Sequence, residues 1–188
     1  MECEYIPEQK SWYEDELFGV YEFDYLIGAA HFFLDSDEKW KPTYGGTKSA
    51  KALIEFGLYT ARMMESGLFA FIAHPDLFGN CYEKWDANCT ACTRDIMAAA
   101  SETGVGLEVN ALGIRKQAAK DPNNPFPLYP WIPFWEEATN HNVKVIVNSD
   151  AHRPSDLQGK TGEAFQIVND LNLAHMDVTC VGKKDQKR

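Results

Sequence analysis

Side chains able to bind metal ions occur at three places in this sequence, and each place has the same local context. His31 follows the apolar run 23–30. His74 directly follows residues 69–73, in Ile-Ala-His-Pro-Asp. Asp150 and His152 follow residues 143–148, in Asn-Ser-Asp-Ala-His. One histidine beside an apolar run is ordinarily a hydrogen-bonding loop residue. The Asp-Ala-His spacing says more, because residues i and i+2 of an extended backbone point to the same side. A hard carboxylate and an imidazole then converge, a donor set that suits Zn, Mn or Fe better than Ca or Mg. Three such groups at equivalent strand ends point to a metal site.

Two further polar groups fit the same rim. Glu108 and Asn110 alternate at the end of the apolar run 105–109, so they share a face while Val109 takes the other. Gly113-Ile-Arg115-Lys116 follows. The planar fork of Arg115 suits a phosphate, and a solvated loop cation is the equal alternative. His141 and His175 fall in helical or turn segments away from strand ends and are assigned no site role.

Cys89-Thr-Ala-Cys92 has the spacing of a redox pair or half a zinc site, but Cys3, Cys81 and Cys180 are scattered singly. A structural zinc site needs a second pair. Cys89, Cys92, Ile96, Ala99, Ala100 and Thr103 instead recur at helical spacing, which favours a small-residue helix face.

The elements that position these residues alternate. Strands are expected at 2–6, 23–29, 68–73, 105–109 and 143–148, with a weaker one at 178–181. Nearly continuous apolar runs suit strands covered on both faces. Between them, Ala50, Leu53, Ile54, Leu58, Ala61 and Met64 trace a helical stripe over 47–66, stopped by Gly67. Pro130 and Pro133 suit the opening turn of a helix reaching about Asn140. A shorter helix spans 163–171, with Phe165, Val168 and Leu171 on one side. Loops are expected at 35–46, 75–86 and 115–130. The alternation predicts an α/β fold with a mostly parallel sheet, open or closed into a barrel, in which sites assemble at the strand C-termini. Residues 1–182 read as one domain and the lysine-rich 183–188 as a disordered tail.

Composition narrows the partners. With 188 residues, 45% apolar, and a formal charge of −10, the chain has enough core for one domain and is a poor nucleic-acid binder. A small anionic substrate remains compatible, since bound cations reverse the local field. No apolar run approaches the ~20 residues that span a bilayer, and the N-terminus lacks a secretory pattern. Five cysteines, an odd count, favour a reducing, cytoplasmic setting over a disulfide framework.

Taken in order, Glu2-Cys-Glu-Tyr5, Asp24-Tyr-Leu-Ile-Gly-Ala-Ala-His31-Phe, Ala73-His-Pro-Asp76, Leu107-Glu-Val-Asn110 with Gly113-Ile-Arg115-Lys116, and Asn148-Ser-Asp-Ala-His152 resemble the polymerase and histidinol phosphatase (PHP) superfamily, on the histidinol-phosphatase branch. The resemblance implies a distorted seven-stranded, TIM-like β/α barrel with two or three divalent ions, Zn, Mn or Fe, at its strand ends. It implies Glu2 as a metal-bridging carboxylate, with His31, His74, Asp150 and His152 as further ligands. Asp150 and His152 would form the catalytic part of that set. Asn110, Arg115 and Arg153 would face the substrate. The implied reaction is hydrolysis of histidinol phosphate in histidine biosynthesis. The alternatives are another small phosphorylated metabolite or a non-catalytic remnant. Family members begin with a His-x-His strand that is absent before Glu2, so the barrel is expected to be incomplete at its N-terminus. Its exposed edges would be open to pairing with another chain.

Overall fold

The computed structural model describes residues 1–180. Strands β1 (Glu2–Glu4), β2 (Leu26–Ala29), β5 (Phe69–Ile72), β6 (Gly106–Asn110), β7 (Lys144–Asn148) and β8 (Ala174–His175) form one sheet in the order β1-β2-β5-β6-β7-β8. All five pairings are parallel. Strands β3 (Phe32–Leu34) and β4 (Trp40–Pro42) pair separately as an antiparallel hairpin. The helices are α1 (Lys10–Trp12), α2 (Thr43–Gly46), α3 (Ala50–Glu65), α4 (Ala87–Thr103), α5 (Ala111–Ala118), α6 (Ile132–Ala138) and α7 (Thr161–Asp170). Among the described residues the sheet is open, with β1 and β8 as its edges, and no closed seven-stranded barrel forms.

The local signals are visible at the helix ends. Ser49 accepts a hydrogen bond from the Ala52 N–H to cap α3. Asp86 accepts from the N–H groups of Asn88 and Cys89 to cap α4. Each such cap supplies a partner that the first helical turn lacks. Gly104, at φ 73°, closes α4 in the left-handed conformation, which glycine adopts without a Cβ clash.

Helices α3 and α4 pack against each other at an unusually close point. A Cβ on Gly57 would lie 3.0 Å from Cys92 Sγ. This approach rotates α3 relative to its expected stripe. Leu53, Phe56, Gly57, Thr60, Met63 and Met64 are buried, whereas Ile54 and Leu58 are exposed. It also accounts for the Cys-x-x-Cys spacing. Cys89 and Cys92 are free, fully buried thiols. Burial pushes Cys89 up to about 12 and Cys92 well above the usual thiol range. Thiols held protonated this firmly are packing residues rather than ligands or nucleophiles.

Several expected elements differ. Residues 178–180 form a 3-10 turn instead of a strand, and the last strand among the described residues is β8. Asp177 Oδ1 accepts from both the N–H and the hydroxyl of Thr179, a local turn that overrides the β-branched run. Val181 and the expected tail 183–188 lie outside the described residues. In α7, Ala164 and Val168 are buried while Phe165 is exposed. The loop expected at 35–46 contains β4, and that expected at 115–130 begins inside α5. Residues 10–20, not assigned from sequence, are helical and widen into a π-type turn over Tyr13–Val20. No helix among the described residues is long and apolar enough to cross a membrane.

Candidate metal centre

Parallel pairing aligns the ends of β2, β5, β6 and β7 at one edge, so residues just past each strand meet there. Glu2 arrives differently. It stands at the start of β1, opposite Ile27, and its carboxylate reaches two histidines. Glu2 Oε1 lies 3.9 Å from His31 Nε2 and 3.8 Å from His74 Nε2. The two imidazole centroids are 4.9 Å apart. Glu2, His31 and His74 each place one ligand atom so that all lie within 4.8 Å of one another.

Buried partners fix this trio from behind. Glu108 Oε2 accepts the His74 backbone N–H at 3.0 Å and an Asn110 Nδ2 hydrogen at 2.8 Å. Asn110 Nδ2 also donates to Asp150 Oδ2 at 3.0 Å, and its Oδ1 caps α5 through the Gly113 N–H. Asp150 is thereby tied to the trio through two buried side chains. His152 turns its Nδ1 to within 3.4 Å of Asp150 Oδ1 and stands largely in solvent. Both His74, at φ 34°, and Asp150, at φ 46°, hold left-handed backbone conformations. Such conformations are costly for residues with a Cβ and concentrate at functional sites.

The electrostatics are mutual. The His74 contact lowers the Glu2 pKa against the opposing effect of burial, with the fields of His74, His31 and His152 adding to it. Burial opposes charge on His74, yet Glu2, Glu108 and Asp150 together raise its pKa. Glu108 is raised chiefly by burial. Asp76, also buried, accepts from the Trp131 N–H and Trp135 Nε1, and burial brings its pKa up to about 6.

A metal ion fits this donor set. Buried polar atoms are ordinarily hydrogen-bonded. His74 is 4% exposed, its Nδ1 has no hydrogen-bond partner among the described residues, and its Nε2 is 3.8 Å from Glu2, too far for a hydrogen bond. A cation between Glu2, His31 and the His74 Nε2 would meet one carboxylate and two imidazoles, a set suited to Zn, Mn or Fe.

The other expected site residues divide. Asn110 sits inside the network. Arg115 directs its guanidinium to backbone carbonyls: Gly159 at 2.7 Å, Ser149 at 2.8 Å and Asp150 at 3.1 Å. Arg153 is exposed beside the rim. Three contributors were not assigned from sequence. Glu4 Oε2 lies 3.1 Å from His31 Nδ1, and its Oε1 accepts the Phe32 N–H. A contact of this kind is how an outer-sphere carboxylate orients an imidazole that binds a metal, and the Glu2-x-Glu4 alternation on a strand is its signal in the sequence. Glu108 was placed on the right face and given no role. Tyr129, whose ring centroid is 5.8 Å from that of His74, carried no local signal. His141 contacts Glu137 and His175 packs by Phe165, both outside the cluster.

No family model matches the chain. A probable histidinol-phosphatase of Deinococcus radiodurans is 25% identical over 183 residues, covering 91% of this chain and 63% of that relative. The chain thus spans less than two thirds of the length of this curated relative. A histidinol phosphate phosphatase of Lactococcus lactis subsp. lactis, solved with zinc, L-histidinol and phosphate, superposes with a TM-score of 0.62 at 14% identity. That match covers 94% of this chain and 66% of the Lactococcus chain. The chain has a histidinol-phosphatase-like α/β fold with a mostly parallel sheet, and a cluster of carboxylate and imidazole groups capable of holding a metal ion lies at one end of that sheet.

Proposed function

We propose that this chain carries a metal-dependent phosphomonoesterase site of the PHP type, acting on histidinol phosphate to give histidinol and phosphate. The observation that carries the reading is the convergence of Glu2, His31 and His74 within 4.8 Å in a histidinol-phosphatase-like fold. In this reading the open sheet corresponds to part of the distorted seven-stranded barrel. Two or three divalent ions would be held by Glu2, His31, His74, Asp150 and His152. Cys3, Cys81, Cys89 and Cys92 are free thiols, in keeping with a reducing, cytoplasmic setting.

Bound divalent ions supply Lewis acidity, which activates water and offsets charge on the phosphate. The chain's own residues do the rest. Glu4 orients His31, Glu108 holds the His74 backbone, and Asn110 fixes the Asp150 carboxylate. His152, exposed and beside the Asp150 carboxylate, would close the ligand set on the solvent side. Arg153 adds positive field at the entrance.

The test is phosphate release from histidinol phosphate by protein reconstituted with Zn, Mn or Fe, with metal content measured alongside. Turnover that chelation abolishes is expected. Metal-loaded protein that releases phosphate only from other monoesters overturns the substrate. Metal-loaded protein inert towards every monoester overturns the activity.

A further inference from the structure

Arg115 and Lys116 are adjacent, and the fold uses their charges in opposite ways. The Arg115 guanidinium is engaged by the carbonyls of Gly159, Ser149 and Asp150, which ties α5 to the loop that carries Asp150. Lys116 Nζ instead donates to two phenols, Tyr129 OH at 2.9 Å and Tyr44 OH at 3.1 Å. It also lies 5.2 Å and 5.5 Å from the centroids of those rings. Among the described residues no carboxylate lies within ion-pair distance of it.

An ammonium has three N–H donors, and the phenols take two. A phenol hydroxyl accepts without supplying a counter-charge, so neither contact is an ion pair and the two account for only two of the three donors. Lysine side chains ordinarily sample many rotamers. Here the pair of rings restrains one. Tyr129 is itself rigidly seated: a Cβ on Gly113 would lie 2.2 Å from the Tyr129 carbonyl oxygen, and one on Gly79 would lie 2.2 Å from that of Leu128. On its other side Tyr129 packs its ring edge-on to His74. A core ligand of the metal cluster and a fixed, unneutralised ammonium therefore flank the same ring.

We infer that Lys116 is the cation that binds the phosphoryl group at this site, with Tyr129 and Tyr44 as its positioning residues. The inference rests on the phosphatase reading above and sharpens it. Carboxylates of the rim are matched by the metal ions, while Lys116 is left to match an anionic ligand. A preset ammonium donating to a phosphate oxygen makes a charge-assisted hydrogen bond.

The probe is inorganic phosphate, titrated calorimetrically into metal-loaded protein whose metal content is verified for each variant. Lys116→Gln and Lys116→Met are both made, so that either one retaining fold and metal carries the test. The dissociation constant is expected to rise about 10- to 100-fold with bound metal unchanged. Metal-loaded wild type and variants that bind phosphate equally overturn this inference alone. A metal-loaded wild type that binds no phosphate overturns the phosphatase reading and this inference with it.

Discussion

The two halves of the candidate metal site are built differently. The inner half belongs to the middle of the sheet, where His74, Glu108 and Asn110 are 4%, 3% and 1% exposed. Its side chains are set by core packing and by hydrogen bonds between buried groups. The outer half belongs to an edge and a loop. Glu2 and His31 are more than a third exposed at their side chains, and His152 is 67% exposed. Among the described residues strand β1 has a single neighbour. A buried ligand with satisfied neighbours is preorganised and loses little freedom when a metal arrives. An exposed one must give up side-chain entropy. The inner half should therefore dominate affinity and the outer half should tune it.

Comparing two histidines tests this most severely. His74→Ala is expected to weaken zinc binding more than about 100-fold. His152→Ala should weaken it less than about 10-fold, below even the loss typical of groups that only orient a ligand. Chelator competition on folded protein measures both. Equal losses would show that burial does not rank the ligands.

The inner half also carries a pH signature. Asp76 is fully buried, and its pKa rises from the usual carboxylate value to about 6. A group with a raised folded-state pKa stabilises fully below its unfolded value and loses that contribution as pH rises through the folded value. The loss should fall between about pH 4 and 6 and amount to about 3 kcal/mol. Urea unfolding of metal-free wild type and Asp76→Asn at pH 4 and pH 7 isolates it. The wild type should lose this much more stability than the variant over that interval. Parallel pH dependence of the two would remove Asp76 as the source.

These contrasts also mark what could be read from the sequence. Five of the six strands of the main sheet are expected from sequence, β1 as the alternating Glu2–Glu4 and the others as largely apolar runs, and His31, His74 and Asp150 follow such runs because parallel strands deliver their loops to one edge. Periodicity found α3 but not its phase, since the buried face is set by Gly57 meeting Cys92 across two helices. The run 178–181 has strand composition, yet one Asp177 side chain converts its start to a turn. Tyr129 was illegible for a different reason. Its place beside His74 depends on close backbone approaches at Gly79 and Gly113, which no local pattern encodes. The functions of Arg115 and Lys116 were likewise open from sequence, because the choice depends on which acceptors the fold brings near.

On the outer half, orientation replaces burial. Glu4 holds His31 Nδ1 at 3.1 Å, leaving Nε2 to face Glu2. Glu4→Gln keeps the size but removes the charge that favours this orientation. Zinc affinity is expected to fall about 10-fold by the same chelator competition. An unchanged affinity would mean that the β1 edge orients His31 without help.

Arg153 supplies the smallest effect and separates fixed charge from diffuse charge. It is exposed, with no side-chain hydrogen bond or ion pair among the described residues, so its guanidinium samples many positions at the rim. An exposed ion pair gains little, because water screens it and ordering a long side chain costs entropy. Arg153→Ala is therefore expected to raise the phosphate dissociation constant about two- to five-fold at low salt. At a Debye length of ~3 Å, reached near 1 M salt, that difference should vanish. The Lys116 effect should persist there, because its ammonium is restrained between two rings rather than free in solvent. If Arg153→Ala instead gave the larger, salt-resistant loss, the fixed phosphate contact would lie on the exposed loop and the ranking of the two halves would reverse.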